Sequence, residues 1–348
     1  MADIIVRREG KAGCITLNRP EALNALTYDM CLEIKAALED WRTDADIAIL
    51  IFDATGDRAF CAGGDIVEMY ETGKAGNFAY GQKFWADEYR MNAALAKYPK
   101  PIVSFLQGFT MGGGVGVGCH ASHRIVGESS QIAMPECGIG LVPDVGGTAI
   151  LARAPGRLGA YFGTTGARMG PGDAILTGFG DTFIPEGVWA DLKTDLIENG
   201  DAGSVKEAAN APPPASIAKH QNEIDRLFAG ADAAAILDRL ETAQTPLAET
   251  SMKAFQRAAP LSVAATLRML NTLGPAPSIE DALRQEYRFT ARAAEKADFI
   301  EGIRAQIIDK DRNPQWRHAS VREVSAADIT GILAPLGPNE LTFGGEDK

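Results

Sequence analysis

The sequence is poor in the residues that build metal sites and disulfide frameworks. It contains only four histidines, and His120 and His123 lack the spacing of metal ligands. The five cysteines are odd in number, scattered, and form no CxxC pair. We therefore predict no metal site and no disulfide framework. Unpaired thiols are typical of a reducing compartment, which favours a cytoplasmic protein.

Basic charge and long apolar runs are also scarce. Lys and Arg total 34 against 46 Asp and Glu, which gives a net charge of −12. This balance argues against nucleic acid as a partner, because neutralising phosphates requires a basic surface. No apolar run approaches the roughly 18 residues of a membrane span. The N-terminal MADIIVRREG has no apolar signal-peptide core. We expect neither secretion nor membrane association.

What is present indicates an α/β fold. Short apolar runs such as residues 47–52 are typical of buried strands, and they alternate with stretches of helical periodicity. One such helix is predicted to begin after the capping residue Thr27 and to end near Arg42. Helical patterns dominate the later part of the chain. We predict an α/β region over residues 1–210 that carries the active site, and a mainly helical region over residues 211–348.

Residues 109–147 concentrate the residue types that carry chemistry. The stretch opens with the glycine triplet of FTMGGGVGVG and closes with AMPECGIGLVPDVGG. Glycines at the start of a helix let a ligand approach backbone N–H groups closely, because no Cβ atom intervenes. Glu136 and Asp144 follow, each beside a proline. Two acids in a glycine-rich segment predict acid–base or nucleophilic chemistry on a ligand that develops negative charge.

Four motifs in order resemble the crotonase (enoyl-CoA hydratase/isomerase) superfamily. They are NRPEALNAL at residues 18–26, AFCAGGDI at 59–66, GFTMGGGVG at 108–116 and MPECGIGLVPDVGG at 134–147. The resemblance implies a spiral of ββα turns, a coenzyme A thioester as substrate, and an oxyanion hole of two backbone N–H groups. It implies no cofactor beyond coenzyme A, which enters as part of the substrate.

Within the superfamily the sequence is most similar to the 3-hydroxyisobutyryl-CoA hydrolases. FWADEYRMN at residues 84–92, PDVGG at 143–147 and EGIRAQIIDKDRNPQW at 301–316 are similar to that branch. This resemblance implies hydrolysis of 3-hydroxyisobutyryl-CoA as a step of valine breakdown, with 3-hydroxypropionyl-CoA as a second candidate substrate. Crotonase relatives often form trimers, so a homo-oligomer is a further expectation.

The resemblance also assigns roles to particular residues. The N–H groups of Ala62 and Gly113 are expected to form the oxyanion hole. Glu136 matches the carboxylate beside the thioester carbon, Asp144 matches the second acid of the hydrolase branch, and Glu88 falls where the hydrolases contact substrate. Glu136 could attack the carbonyl directly or activate a water molecule. Asp144 could bind the 3-hydroxyl group or transfer a proton.

One departure from the hydratases separates the competing functions. Hydratases carry a second glutamate at the position of Gly116 and a glycine at the position of Asp144. This exchange favours hydrolysis over hydration or isomerisation of an enoyl-CoA. A non-catalytic acyl-CoA-binding protein is a third reading, and the intact Glu136 and Asp144 count against it. We interpret Asp65 as a helix cap and Cys61 as a packing residue, because no histidine motif accompanies the thiol.

Overall fold

The computed structural model describes residues 2–344, and the chain divides into two compact units. The first unit comprises the described residues up to Asp65, then Asp87–Ala133 and Arg168–Ser216. The second comprises Ile66–Ala86, Met134–Ala167 and the described residues from Ile217 onward. Both units are therefore assembled from separate stretches of chain. The predicted domain boundary at residue 210 stays a prediction.

All nine strands of the described residues belong to the first unit. They are β1 (Ile4–Glu9), β2 (Ala12–Leu17), β3 (Ile49–Ala54), β4 (Ala59–Cys61), β5 (Ile102–Phe105), β6 (Phe109–Met111), β7 (His123–Val126), β8 (Gln131–Ala133) and β9 (Thr182–Phe183). A six-stranded sheet has the order β1-β2-β3-β5-β7-β9, and a three-stranded sheet has the order β4-β6-β8. Only the β1–β2 pair is antiparallel.

The strand order shows a repeating pattern. The pairs β3–β4, β5–β6 and β7–β8 each place their first strand in the large sheet and their second strand in the small sheet. A helix follows each of the first two pairs before the next pair begins. This is the spiral of ββα turns that the sequence predicts.

The helices of the first unit pack against its sheets and connect its strands. They are Tyr28–Trp41, Gly113–Gly118, Pro171–Thr177, Trp189–Asn199 and Gly203–Glu207. The cap predicted at Thr27 is confirmed, since its side chain accepts a hydrogen bond from the Met30 N–H at 3.2 Å. Trp189 lies in the apolar core over the large sheet, at 5.4 Å from the ring of Phe105. Burial of such aromatic surface is a main source of the unit's stability.

The second unit contains no strand among its described residues, and its regular structure is helical. Its α-helices are Val67–Lys74, Gly147–Arg153, Leu158–Thr165, Gln221–Leu227, Ala233–Thr242, Pro246–Arg257, Pro260–Leu273, Ile279–Lys296, Phe299–Ile303 and Ala326–Ile332. The helix Ala79–Ala96 contributes residues to both units. The interpretation of Asp65 as a helix cap is wrong. Ile66 occupies the N-cap position of the next helix, and the Asp65 carboxylate instead pairs with Arg19 at 3.0 Å.

The helix Ile279–Lys296 is defined by signals at both ends. Ser278 caps its N-terminus through a hydrogen bond from the Asp281 N–H at 3.1 Å, and Lys296 lies in its last turn. Its buried face includes Leu283 and Phe289, and one carboxylate, that of Glu286, lies on the same face. No helix in residues 2–344 is long and apolar enough to cross a membrane.

Candidate active site

The five residues singled out in the sequence fall into two groups. Ala62, Glu88 and Gly113 belong to the first unit, and Glu136 and Asp144 belong to the second. In the first unit Glu88 adjoins Gly113, and in the second unit the charge of Asp144 acts on Glu136. The two groups differ in kind, since the first is built on backbone N–H groups and the second on buried carboxylates.

Gly113 begins a short helix directly after the strand β6. Gly112 precedes it with a φ of 47°, a left-handed conformation that favours glycine. A Cβ atom on Gly113 would lie 3.2 Å from the Gly64 nitrogen and 3.2 Å from Glu88 Oε1. A Cβ atom on Gly114 would collide with the Cys61 carbonyl oxygen at 2.2 Å. Gly114 is therefore required for packing, whereas Gly113 adjoins a second backbone N–H and a carboxylate.

The structure changes the assignment of the upstream donor. The Ala62 N–H donates a hydrogen bond to the Leu23 carbonyl at 3.0 Å, so the fold itself uses the donor that the sequence assigned to the substrate. Gly64 lies two residues further along the chain. Its N–H and that of Gly113 donate no hydrogen bond to any other described residue. Gly64 and Gly113 are therefore neighbouring N–H groups left available in this unit, whereas the Ala62 N–H predicted for the oxyanion hole is used by the fold. The oxyanion hole itself stays a prediction.

Glu88 lies in the interior rather than on a solvated helix face. It is 4% exposed, and its Oε1 adjoins Gly113 as described above. Its charge also contributes to the raised pKa values of the thiols of Cys31 and Cys61. Burial, followed by the Glu88 carboxylate, raises the pKa of Cys31 well above its ordinary value. The expected substrate contact of Glu88 stays a prediction, and its burial excludes a solvated surface position.

Cys61 is a packing residue in this structure. Burial raises the pKa of its thiol to about 12, so the reactive thiolate is scarce near neutral pH. The thiol donates a hydrogen bond to the Gly63 carbonyl at 3.4 Å. Within residues 2–344, no group of three or more His, Cys, Asp or Glu side chains is arranged to hold a metal ion.

Glu136 is the first residue of a 3₁₀ helix, Glu136–Ile139, that follows Pro135. The side chain is 4% exposed, and its Oε2 atom makes no hydrogen bond within the described part of the chain. Burial first, and then the charges of Asp144 and Glu286, raise the pKa of Glu136 well above 4.5. The Asp144 charge is therefore the largest cause of this shift after burial. A buried carboxylate with an open oxygen is a strong candidate for a catalytic group.

Asp144 lies in a sharp turn before the helix Gly147–Arg153. Its side chain is 4% exposed, and its backbone carbonyl accepts the Gly147 N–H at 2.7 Å. Val145 and Gly146 follow with positive φ angles of 53° and 81°. The Asp144 side chain is therefore presented by a local backbone conformation that few sequences adopt. Gly146, not Asp144, is the N-cap of the following helix.

Glu286 is a third buried acid that sequence reasoning missed. It is 0% exposed, and its Oε2 accepts the Gly146 N–H at 2.7 Å. Its Oε1 accepts the Thr148 N–H at 3.1 Å and the Thr148 hydroxyl. Burial raises its pKa to about 8, although these donors favour the charged form. The sequence does contain one indication of Glu286, which lies on the apolar face of an amphipathic helix. An acid in that position is rarely buried without a partner.

The comparisons with known proteins agree on one family. The family model described as enoyl-CoA hydratase/isomerase matches residues 12–333. A relative from Gallus gallus named 3-hydroxyisobutyryl-CoA hydrolase, mitochondrial, is 34% identical over 351 residues, covering 98% of this chain and 91% of the relative. The chain therefore belongs to the enoyl-CoA hydratase/isomerase family, and the prediction that it is an enzyme of the crotonase type is confirmed.

Two solved structures are similar over nearly the whole length. One, described as an enoyl-CoA hydratase from Rhodobacter sphaeroides 2.4.1, has a TM-score of 0.95 at 57% identity and covers 98% of this chain and 100% of its own. The other, described as a carnitinyl-CoA dehydratase from Mycobacterium thermoresistibile, has a TM-score of 0.94 at 39% identity and covers 99% and 100%. The predicted crotonase-like α/β fold is confirmed.

Proposed function

We propose that this enzyme hydrolyses the thioester of 3-hydroxyisobutyryl-CoA to the free hydroxy acid and coenzyme A. The observation that carries the proposal is the burial of Glu136 and Asp144 in one unit, where burial and then the Asp144 charge raise the pKa of Glu136. The enoyl-CoA hydratases that the sequence resembles have a glycine at the position of Asp144 and a glutamate at the position of Gly116. This exchange favours hydrolysis over hydration. The name of the Gallus gallus relative supports the same reaction.

In the proposed reaction the thioester oxygen develops negative charge when its carbon is attacked. The N–H groups of Gly64 and Gly113 stabilise that oxyanion, and one such donor contributes about 3–4 kcal/mol to the barrier reduction. Glu136 either attacks the carbonyl carbon or removes a proton from the attacking water. With direct attack, the C–S bond breaks, coenzyme A leaves as a thiolate that takes up a proton, and water hydrolyses the resulting anhydride.

Asp144 has two candidate roles in this scheme. It can accept a hydrogen bond from the 3-hydroxyl group, so that an acyl group without the hydroxyl would leave the carboxylate unpaired. Alternatively it can carry the proton to the leaving thiolate or from the water. We place Glu88 among the substrate contacts and propose no cofactor beyond the coenzyme A of the substrate. Action on 3-hydroxypropionyl-CoA and a place in valine breakdown belong to the same proposal.

The cellular compartment and the assembly are further parts of the proposal. Unpaired, buried thiols favour the cytoplasm, whereas the name of the Gallus gallus relative places that protein in mitochondria. A homo-oligomer is proposed from the family resemblance alone.

Enoyl-CoA hydration is the second candidate function. It is favoured by the description of the Rhodobacter sphaeroides structure as an enoyl-CoA hydratase, at 57% identity. The glycine at position 116 counts against it, because addition of water to a double bond uses two acids placed as in the hydratases. A hydrolase should release thiol from 3-hydroxyisobutyryl-CoA and leave crotonyl-CoA unhydrated, whereas a hydratase should do the reverse.

One assay separates the candidates. Purified protein is incubated with 3-hydroxyisobutyryl-CoA while free thiol is followed, and with crotonyl-CoA while the enoyl absorbance is followed. Thiol release from the hydroxyacyl substrate, with little loss of enoyl absorbance, supports the hydrolase. Loss of enoyl absorbance without thiol release would replace it with the hydratase. Binding of both thioesters without turnover would leave only an acyl-CoA-binding protein.

A further inference from the structure

The turn that carries Asp144 is conformationally strained. Val145 is β-branched, 1% exposed, and held at a φ of 53°, where branched side chains rarely occur. Gly146 continues the left-handed conformation at 81°. Such a backbone persists only when surrounding contacts determine it, and strain of this type is concentrated at functional sites. Some group must therefore hold residues 144–148 in place.

Glu286 is the group that meets this requirement. It is 140 residues from Gly146 in sequence, yet its two oxygens accept three hydrogen bonds from Gly146 and Thr148. The acceptors lie on the rigid helix Ile279–Lys296, whose first turn is capped by Ser278. The bonded residues lie on both sides of Gly147, directly after the strained Val145. The turn is thus fastened at its C-terminal end to a separate element.

We propose that Glu286 is a positioning residue for the reaction, acting by fixing the turn that presents Asp144. The inference rests on the proposed role of Asp144 in hydrolysis, and Glu286 itself need not touch the substrate. An error of about 1 Å in the placement of a catalytic group can reduce turnover by roughly 10²-fold. Loss of this anchor therefore acts on turnover through Asp144.

The informative variant is Glu286→Gln. It keeps the size of the side chain but replaces one acceptor oxygen by an NH₂ group, which would face an N–H donor of Gly146 or Thr148. Assayed at about pH 9, above the pKa of about 8 at which Glu286 ionises, kcat should fall roughly 10²-fold with a smaller change in KM. Glu286→Asp retains two acceptors and should recover part of the loss. Glu295→Gln, the same change at an exposed position of the same helix, is the matched control.

A double-mutant cycle distinguishes positioning from general structural support. If Glu286 acts through Asp144, then Glu286→Gln should have little further effect on kcat in an Asp144→Asn background. An equal loss in both backgrounds would overturn the proposal. Thr148→Val removes one of the three hydrogen bonds and keeps the packing volume, so a smaller loss from this variant supports the same conclusion if Glu286→Gln folds poorly.

Amide hydrogen exchange tests the anchor without any substrate. Exchange in residues 143–149 should accelerate in Glu286→Gln, whereas Glu295→Gln should leave it unchanged. Unchanged protection of this segment in a folded Glu286→Gln protein would overturn the inference. If wild-type enzyme releases no thiol from 3-hydroxyisobutyryl-CoA, the proposed substrate fails instead. The exchange result still decides the role of Glu286, and the cycle is then run on the acyl-CoA that is turned over.

Discussion

The two units present their candidate functional groups by different physical means. In the first unit the groups are backbone N–H donors of Gly64 and Gly113, whose positions depend on a turn and on the absence of a Cβ atom. In the second unit they are carboxylates, whose ionisation is opposed by burial and by one another. The N–H group of a glycine stays present in any variant, but an added Cβ atom can displace it. A buried carboxylate loses its charge when a single oxygen is replaced by an NH₂ group, as in a change from Glu to Gln.

The largest expected effect is that of Glu136→Gln, which removes the only charge of the side chain at constant size. Turnover of 3-hydroxyisobutyryl-CoA should fall by about 10⁴-fold or more, because the amide can neither attack nor accept the proton of water. Steady-state thiol release measures the loss, and calorimetry should show that acyl-CoA binding remains. Glu249→Gln, at an exposed position of the same unit, is the control. Near-normal turnover in Glu136→Gln would remove this residue from catalysis.

Next in size is Gly113→Ala, which tests the backbone donors of the first unit. The added Cβ atom would lie 3.2 Å from the Gly64 nitrogen and from Glu88 Oε1, so these neighbours must shift. We expect kcat to fall about 10²–10³-fold, the effect of losing one oxyanion donor. Gly187→Ala should have no such effect, because a Cβ atom there meets nothing within 4 Å. Equal activities of the two variants would argue against the donor pair.

Asp144→Asn should reduce kcat/KM by roughly 10²-fold, the usual contribution of a positioned acid or base. Comparing 3-hydroxyisobutyryl-CoA with isobutyryl-CoA decides between its two roles. A loss confined to the hydroxylated substrate assigns Asp144 to the 3-hydroxyl group, since only that substrate offers the hydrogen bond. Equal losses on both thioesters assign it to proton transfer. No loss on either would leave Asp144 with a structural role only.

The smallest expected effect concerns stability and comes from Glu286. Its pKa is about 8 in the folded protein against an ordinary value of 4.5. Between these values the unfolded chain releases a proton that the folded protein keeps, so stability falls as pH rises, by up to about 1.4 kcal/mol per pH unit. Urea unfolding at pH 5 to 8 should show a steeper decline for wild type than for Glu286→Gln. Parallel pH dependences would contradict the raised pKa.

The features that the sequence predicted are those encoded by neighbouring residues. The Thr27 cap, the buried strands and the glycine triplet each depend on residues within one element, so composition and spacing reveal them. The use of the Ala62 N–H by the fold was not predictable in this way, because its acceptor, the Leu23 carbonyl, comes close only in the folded chain. The local sequence does not show which N–H group is hydrogen-bonded within the protein and which is left available.

Glu286 illustrates the same limit in the second unit. An acid among apolar residues at helical spacing was visible in residues 279–296, but its partners are 138 and 140 residues away. The strain at Val145 was equally hidden, because valine gives no indication of a positive φ. The family motif identified Asp144, whereas only the structure shows what holds it. In the first unit the glycines that expose the N–H groups are visible in the local sequence. In the second unit the contacts of Glu286 join residues far apart in sequence and are visible only in the fold.

Glu136 is buried beside the charge of Asp144 and must ionise before it can attack the thioester or take a proton from water, so the pH dependence of kcat/KM is the decisive measurement. We expect an acid limb of about tenfold per pH unit, with an apparent pKa well above 4.5. Asp144→Asn removes the second-largest cause of the raised pKa, so its limb should move to lower pH. A wild-type profile that stays flat down to about pH 5 would show that no carboxyl group with a raised pKa controls the reaction. A limb that Asp144→Asn leaves in place would show that the Asp144 charge does not raise the pKa of Glu136.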